Sequence, residues 1–249
     1  MADYVYRTVM QDIKQNILNN KYNGMRIPDE RSLAKHYDVS RSSMKRALEL
    51  LAQQGIIFKK RGSGTFINPL YLKNQAMFRY DGSNLGITDS FKVPGKKQKI
   101  KLLDFQVIKA TKEIAEDLFL NENAFVYEFK RLRLLDEQPF LIETGYLPIK
   151  IMPELKPETL QSSLFNYLED EQSQTVTKAF LNITVEPSNA EDQKQMHLKG
   201  NEPVGVMEGI FFLDDGTPFE VSNMRVHYHY MNFNTFVNLG NQKTRRFFV

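Results

Sequence analysis

Residues 27–67 read IPDERSLAKHYDVSRSSMKRALELLAQQGIIFKKRGSGTFI. Glu30 to Tyr37 predicts a short helix that buries Leu33 and Ala34, and Asp29 and Glu30 put negative charge where free backbone N–H groups favour it. Asp38-Val39-Ser40 reads as a tight turn, with Val39 plugging the angle between two helices and Ser40 capping the second. That helix runs from Arg41 to about Gln54 on a buried stripe of Met44, Leu48 and Leu51, and Gly55 ends it. Its first turns carry Arg41, Ser42, Ser43, Lys45 and Arg46. Cations near a helix N-terminus oppose the macrodipole, a local cost that makes sense if a polyanion is the usual partner. The strand Ile56–Arg61, the Gly62-Ser63-Gly64 turn and the return Thr65–Ile67 make a hairpin with a basic, bare tip, and Gly62 lets backbone approach sugar and phosphate closely. A helix-turn-helix followed by such a wing implies double-stranded DNA, with the second helix in the major groove. No RNP aromatic pair or GxxG clamp points to RNA.

Upstream, Tyr6, Val9, Met10, Ile13, Ile17 and Leu18 form a one-sided stripe, so Tyr6 to Asn19 predicts a first helix. Residues 1–68 hold 12 Lys+Arg against 6 Asp+Glu; from whole-chain totals of 33 and 30, residues 69–249 are left with 21 and 24. The cationic excess therefore belongs to the first quarter, as phosphate attraction at one end requires. The chain has no cysteine, which removes disulfides and thiolate chemistry and suits a reducing interior. The N-terminus is polar and acidic, unlike a signal peptide, and no stretch approaches the roughly 18 apolar residues of a spanning helix. A cytoplasmic protein without a membrane partner is expected.

Residues 69–98, with Pro69, Gly82, Gly86, Pro94 and Gly95, read as a linker and a loop with little regular structure, whose 85–91 piece folds onto the second domain. From 99 to 249 the pattern changes to alternating strands and hairpins with interposed helices. An α+β domain on an antiparallel sheet is expected there. Strands are read at Lys101–Ile108, Phe125–Leu135, Phe140–Leu147, Thr175–Glu186, Val204–Leu213 and Pro218–Val226. Ser188-Asn189-Ala190-Glu191 reads as a capping box. In the strand 125–135, Phe125, Tyr127, Phe129, Arg131 and Arg133 share one face by period two, and Glu143 on the return strand lies close in register. Two readings stay open at this point: a structural salt bridge on a solvated sheet rim, or an anion pocket in which the arginines hold a phosphate.

The 25–67 stretch resembles the winged helix-turn-helix of the GntR family of bacterial transcription regulators, whose usual pattern is close to LPSER-x-LA, VSR-x-TVR-x-AL and a G-x-GTFV wing. The resemblance implies DNA contacts at Arg31 (phosphate), Arg41, Ser42, Ser43 and Lys45 (recognition helix) and Arg61 and Gly62 (wing tip). Asp29 stands where Ser is usual, which puts a carboxylate near the phosphates. Lys45 stands where Arg is commoner, and an ammonium cannot form the planar bidentate bond to guanine. The second half, through RLR and Glu143 at 131–143, SSLFNYL at 162–168 and G-x-P-x-E-x-S at 216–222, is similar to the effector domain of the HutC branch. That domain resembles the chorismate lyase fold and senses rather than catalyses. By position it implies Thr88, Ser90, Arg131, Arg133, Glu143, Ser163, Phe165 and Glu220 as effector-binding residues. Phe165 replaces a frequent Tyr, and His227 and His229 stand where Arg and Asp are common. Two histidines two apart on a strand share a face, but packing or hydrogen bonding is favoured over a metal without a third ligand.

The expected function is a homodimeric regulator that binds an inverted-repeat operator and represses carbohydrate-utilisation genes until a small anionic effector, such as a sugar phosphate, releases it. A ligand-dependent activator fits the same architecture. An enzyme finds no GxSxG elbow, dinucleotide fingerprint, metal triad or evident nucleophile, so no catalytic residue and no cofactor is assigned. A constitutive architectural DNA binder would lack a pocket and pair its inward arginines across the fold.

Overall fold

The structure is a computed structural model and describes residues 2–73, 78–79, 86–91 and 96–234. The chain divides into two compact units, residues 1–75 joined by 234–249, and residues 76–233.

In the first unit, α1 (Ala2–Leu18), α2 (Glu30–His36) and α3 (Arg41–Gln53) stand beside a small sheet of β1 (Arg26–Ile27), β2 (Ile57–Lys60) and β3 (Gly64–Ile67) in the order β1-β3-β2. The core is built from the stripes of α1 (Tyr6, Val9, Met10, Ile13, Ile17) and α3 (Met44, Ala47, Leu48, Leu51), closed by Leu33, Ile56, Ile57 and Ile67. Removing the Leu48 side chain to alanine would cost about 2–5 kcal/mol, the usual range for a fully buried leucine. α1 begins four residues ahead of the expected Tyr6. α2 and α3 are capped as their sequences require: Asp29 accepts from the Ser32 N–H at 3.0 Å, and Ser40 accepts from the Ser43 N–H at 3.1 Å.

The stretch 69–98 holds more regular structure than expected: α4 (Pro69–Lys73), the two-residue strand β4 (Phe78–Arg79) and α5 (Ile87–Ser90). Pro69 is suited to a first helical position, and Asn68 Oδ1 accepts the Leu70 N–H at 3.0 Å, so a turn signal here also starts a helix.

The second unit is a six-stranded antiparallel sheet, β5 (Gln98–Lys109), β6 (Phe125–Leu135), β7 (Gln138–Pro148), β8 (Val176–Pro187), β9 (Pro203–Leu213) and β10 (Pro218–His227), in the order β5-β6-β7-β10-β9-β8. One face carries the main core, where Phe129, Phe140, Leu141, Met207, Phe211 and Phe219 meet Ile87, Phe91, Met152, Leu160 and residues of α7 (Leu164–Gln172). On the other face, Ile114 and Leu118 at α6 (Lys112–Asp117) pack on Val126, and Met196 of α8 (Ala190–Met196) packs on Leu132, Ile142, Val204 and Val206. The capping box of α8 sits one residue later than expected: Asn189 accepts from the Asp192 N–H and Asp192 accepts from the Asn189 N–H, each at 2.9 Å. Asp192 also receives Arg225 of β10, which reaches Glu186 of β8 at 2.8 Å, so one guanidinium ties a helix and a strand to the sheet.

Candidate functional site

In the first unit, Arg31 and Arg41 are exposed, as are Ser42, Lys45, Arg61 and Gly62, while Ser43 is half-buried. Asp29 is drawn into the cap of α2, where the Ser32 backbone N–H first and its hydroxyl second hold the carboxyl below its ordinary range. The Ser40 hydroxyl lies 2.9 Å from those of both Ser42 and Ser43, so these three side chains share one network over the start of α3. Lys45 meets Glu49 one turn on at 3.8 Å, both well exposed, a pair of small energetic weight. At the wing, Gly62 adopts φ 73 and Gly64 φ 113, both in the region glycine favours. A Cβ on Gly64 would stand 2.9 Å from the Arg26 guanidinium, so the bare residue lets Arg26 lie along the wing.

In the second unit, β6, β7 and β10 bring charge to the core face. Arg131 pairs directly with Glu143 across the β6–β7 ladder. Arg131 Nη2 donates to Glu143 Oε1 at 2.9 Å and Arg133 Nε donates to Oε2 at 3.1 Å, with all three side chains buried. A pair on a solvated rim is therefore excluded; the charges lie inside. Arg131 also stacks over the Phe129 ring at 4.7 Å. That ring lies across Gly145, where a Cβ would come within 2.2 Å of it, so glycine on β7 is what lets the aromatic support the guanidinium. Arg133 Nη1 donates to Thr88 Oγ1 of α5 at 3.1 Å.

Glu220 completes the group differently. It is 1% exposed, yet among the described residues neither carboxyl oxygen has a hydrogen-bond partner, and the buried Ser222 Oγ and Arg131 Nε also lack one there. Ser222 stands near enough to favour ionisation slightly without completing a hydrogen bond. Burial first, and the Glu143 charge second, push the Glu220 carboxyl up to about 8 against the pull of Arg131 and Arg133. Burial would also raise Glu143, but the two guanidiniums outweigh it and hold that carboxyl low. Arg133 is lowered by burial, with Glu143 opposing; a guanidinium stays cationic through any such change near neutrality. At neutral pH the group thus carries two guanidinium charges against one carboxylate.

These side chains surround one cavity lined by Gly86, Ile87, Thr88, Arg131, Arg133, Glu143, Ser163, Leu164, Phe165, Phe211, Glu220, Ser222 and Met224. Its enclosed volume is about 10 Å³, roughly one water. Ser163 caps α7 by accepting the Asn166 N–H at 3.3 Å, and Phe165 sits edge-on to Phe211 and Phe219. The side chain of Ser90 lies outside the described residues, although the backbone of α5 includes it. Ser222, the last residue of the 216–222 pattern, and Met224 are not among the expected effector-binding residues, although period two from Glu220 points to both. The histidine pair does not share a strand face: β10 ends at His227, whose ring accepts the His229 N–H at 3.2 Å from within a turn. Burial first and His229 second lower His227, so it is neutral near pH 7. Among the described residues, no cluster of His, Cys, Asp and Glu could hold a metal ion, and no helix is long and apolar enough to cross a membrane.

Comparison with known proteins matches residues 5–67 to bacterial regulatory proteins of the gntR family and residues 94–232 to the UTRA domain. The HTH-type transcriptional regulator GmuR of Bacillus subtilis (strain 168) is 33% identical over 225 residues, covering 90% of this chain and 94% of the relative. The HTH-type transcriptional repressor NagR of the same organism is 26% identical, covering 87% of each. The crystal structure of the possible transcriptional regulator YydK, also from Bacillus subtilis, superposes with a TM-score of 0.79 at 27% identity, over 94% of this chain and 99% of that one.

Proposed function

The chain belongs to the GntR family of bacterial regulatory proteins, a family of transcription regulators and not of enzymes, and from that premise we propose that it is a cytoplasmic repressor released by a small anionic effector bound through its UTRA domain. The carrying observation is the buried group on the core face: two guanidiniums, one ionised carboxylate and a second carboxyl with neither oxygen partnered. Such a site has one positive charge to spare at neutral pH and can supply charge-assisted bonds to an anion. The Glu220 oxygens and the Ser222 hydroxyl can take ligand hydroxyls beside the apolar wall of Phe165 and Phe211, so a phosphorylated sugar satisfies both chemistries. The similarity to NagR, a transcriptional repressor, supports the direction of control.

Coupling runs through α5. Thr88 holds the same Arg133 that an anion would engage, and Gln98 Nε2 donates to the Thr88 carbonyl at 3.1 Å and to that of Phe91. A ligand that takes Arg133 from Thr88 displaces the segment lying between the DNA-binding head and the sheet in sequence. Two heads on an inverted-repeat operator then lose the spacing that binding requires, with Arg31, Arg41, Ser42, Ser43, Lys45, Arg61 and Gly62 as the contacting residues.

The test is a gel-shift assay on inverted-repeat promoter fragments with a panel of sugar phosphates and their parent sugars. One phosphate should dissolve the complex while its parent sugar does not, and Arg133→Ala should keep operator binding but lose the response. Silence across the panel, or release by the parent sugar alone, counts against an anionic effector.

A further inference from the structure

We propose that Arg26 and Lys60, brought together on the outer face of the wing, form a phosphate-binding site that grips the DNA backbone beside the groove that the wing tip enters. The proposal rests on the reading of the first unit as a DNA-binding head and adds two residues to the contacts named above.

Cross-strand partners lie on the same face of a sheet, and successive residues alternate between its faces. In the small sheet of the head, Ile27, Ile57 and Ile67 turn inward to the core. Arg26, Phe58, Lys60, Gly64 and Phe66 therefore turn outward, with Arg26 and Phe58 flanking Phe66, and Lys60 opposite Gly64. The rings of Phe58 and Phe66 stack at 5.9 Å with 22° between their planes, and Phe58 remains 48% exposed. The Arg26 guanidinium lies 6.0 Å from the centre of the Phe66 ring, at the outer limit of a cation–π contact. It also lies down over Gly64, where a Cβ would stand 2.9 Å from both its Nε and its Nη2. The bare residue thus lets Arg26 leave its own row for that of Lys60, directly behind the Gly62-Ser63 tip.

Two cations meet there without an anion. Among the described residues no carboxylate pairs with Arg26 or Lys60, and both are exposed, whereas Lys59 on the inward side meets Glu30 at 3.9 Å. Like charges side by side on a sheet repel, and a polyanion that binds across both removes that cost. Both side chains are donors only, and a phosphate oxygen accepts from either. A guanidinium already held flat by a ring and by bare backbone loses little further freedom when it meets a phosphate.

Fluorescence anisotropy of the full chain tests this on a promoter fragment shifted in the gel assay and on a scrambled duplex of equal length. Arg26→Met, Arg26→Lys and Lys60→Ala are compared with the parent chain, each first checked by thermal unfolding. Each phosphate contact contributes about 0.9 to the slope of log affinity against log salt. Arg26→Met and Lys60→Ala should each lower that slope by about 0.9 for every head on the duplex, equally on both DNAs. Their deficit against the parent then shrinks about 3.5-fold per head as salt rises from about 50 to about 200 mM. Arg26→Lys keeps the charge and should keep the parent's slope. An unchanged slope in Arg26→Met or Lys60→Ala, a loss confined to the promoter fragment, or a lysine variant as impaired as the methionine one would overturn the phosphate site while leaving the DNA-binding reading intact. A parent chain that binds neither duplex overturns both.

Discussion

Arg31, Arg41 and Arg61 hold their guanidiniums toward solvent on the helix pair and the wing, whereas Arg131 and Arg133 lie buried and share a single carboxylate. The first arrangement costs the fold little, because water and salt screen an exposed charge, and it leaves each cation available to a phosphate. In the second, loss of the shared carboxylate would leave two guanidiniums buried without an anion, and an uncompensated buried charge is expensive. Positive charge in the head is therefore separable from stability. In the sheet domain, the same charge is part of what holds the molecule together.

Three substitutions sharpen that contrast. Glu143→Ala strands two guanidiniums in the core and should destabilise the sheet domain by about 3–5 kcal/mol, seen as a lowered unfolding midpoint in urea. An unchanged midpoint would mean that the arginines reach solvent. Arg41→Ala should leave that midpoint where it was and weaken specific operator binding by about 1–3 kcal/mol, measured by titration against operator and scrambled DNA at fixed salt. Equal weakening on both DNAs would reduce Arg41 to a phosphate contact.

Glu220→Gln carries the clearest signature, a change in how stability depends on pH. In the folded chain the carboxyl keeps its proton up to about 8, against an ordinary value of 4.5, so the native state binds the extra proton between these limits. Its stabilising contribution is complete below the ordinary value and is lost as pH rises through about 8. Thermal midpoints of the parent chain should fall as pH rises from the ordinary value of 4.5 to about 8, and the glutamine variant should flatten that fall. Parallel profiles for the two proteins would contradict a protonated Glu220.

The head was almost fully legible from sequence because its signals are local. Ser40 caps the helix that it directly precedes, and Met44, Leu48 and Leu51 recur at helical spacing, so neither feature depends on a distant residue. The face shared by Arg131 and Arg133 was legible for the same reason. Their joint capture by Glu143 depends on the β6–β7 register, which carries a bulge between Arg133 and Leu134 that no alternation reveals. Glu220 and Ser222 reach the same cavity only because β10 pairs with β7, some 75 residues earlier, with β8 and β9 laid outside it. Long-range pairing of this kind leaves little trace in a local pattern. The shift of the capping box from Ser188 to Asn189 has a smaller origin, since adjacent polar residues can each start a helix and packing of Asp192 beneath Arg225 selects one.

The cavity between α5 and the sheet has room for about one water while Thr88 holds Arg133. A pocket that must open before it fills imposes a ceiling on how fast it can fill, since raising the ligand concentration cannot hurry a step that precedes the encounter. For a switch built on this pocket, concentration decides how many copies respond. The hydrogen bonds of one short helix decide how soon.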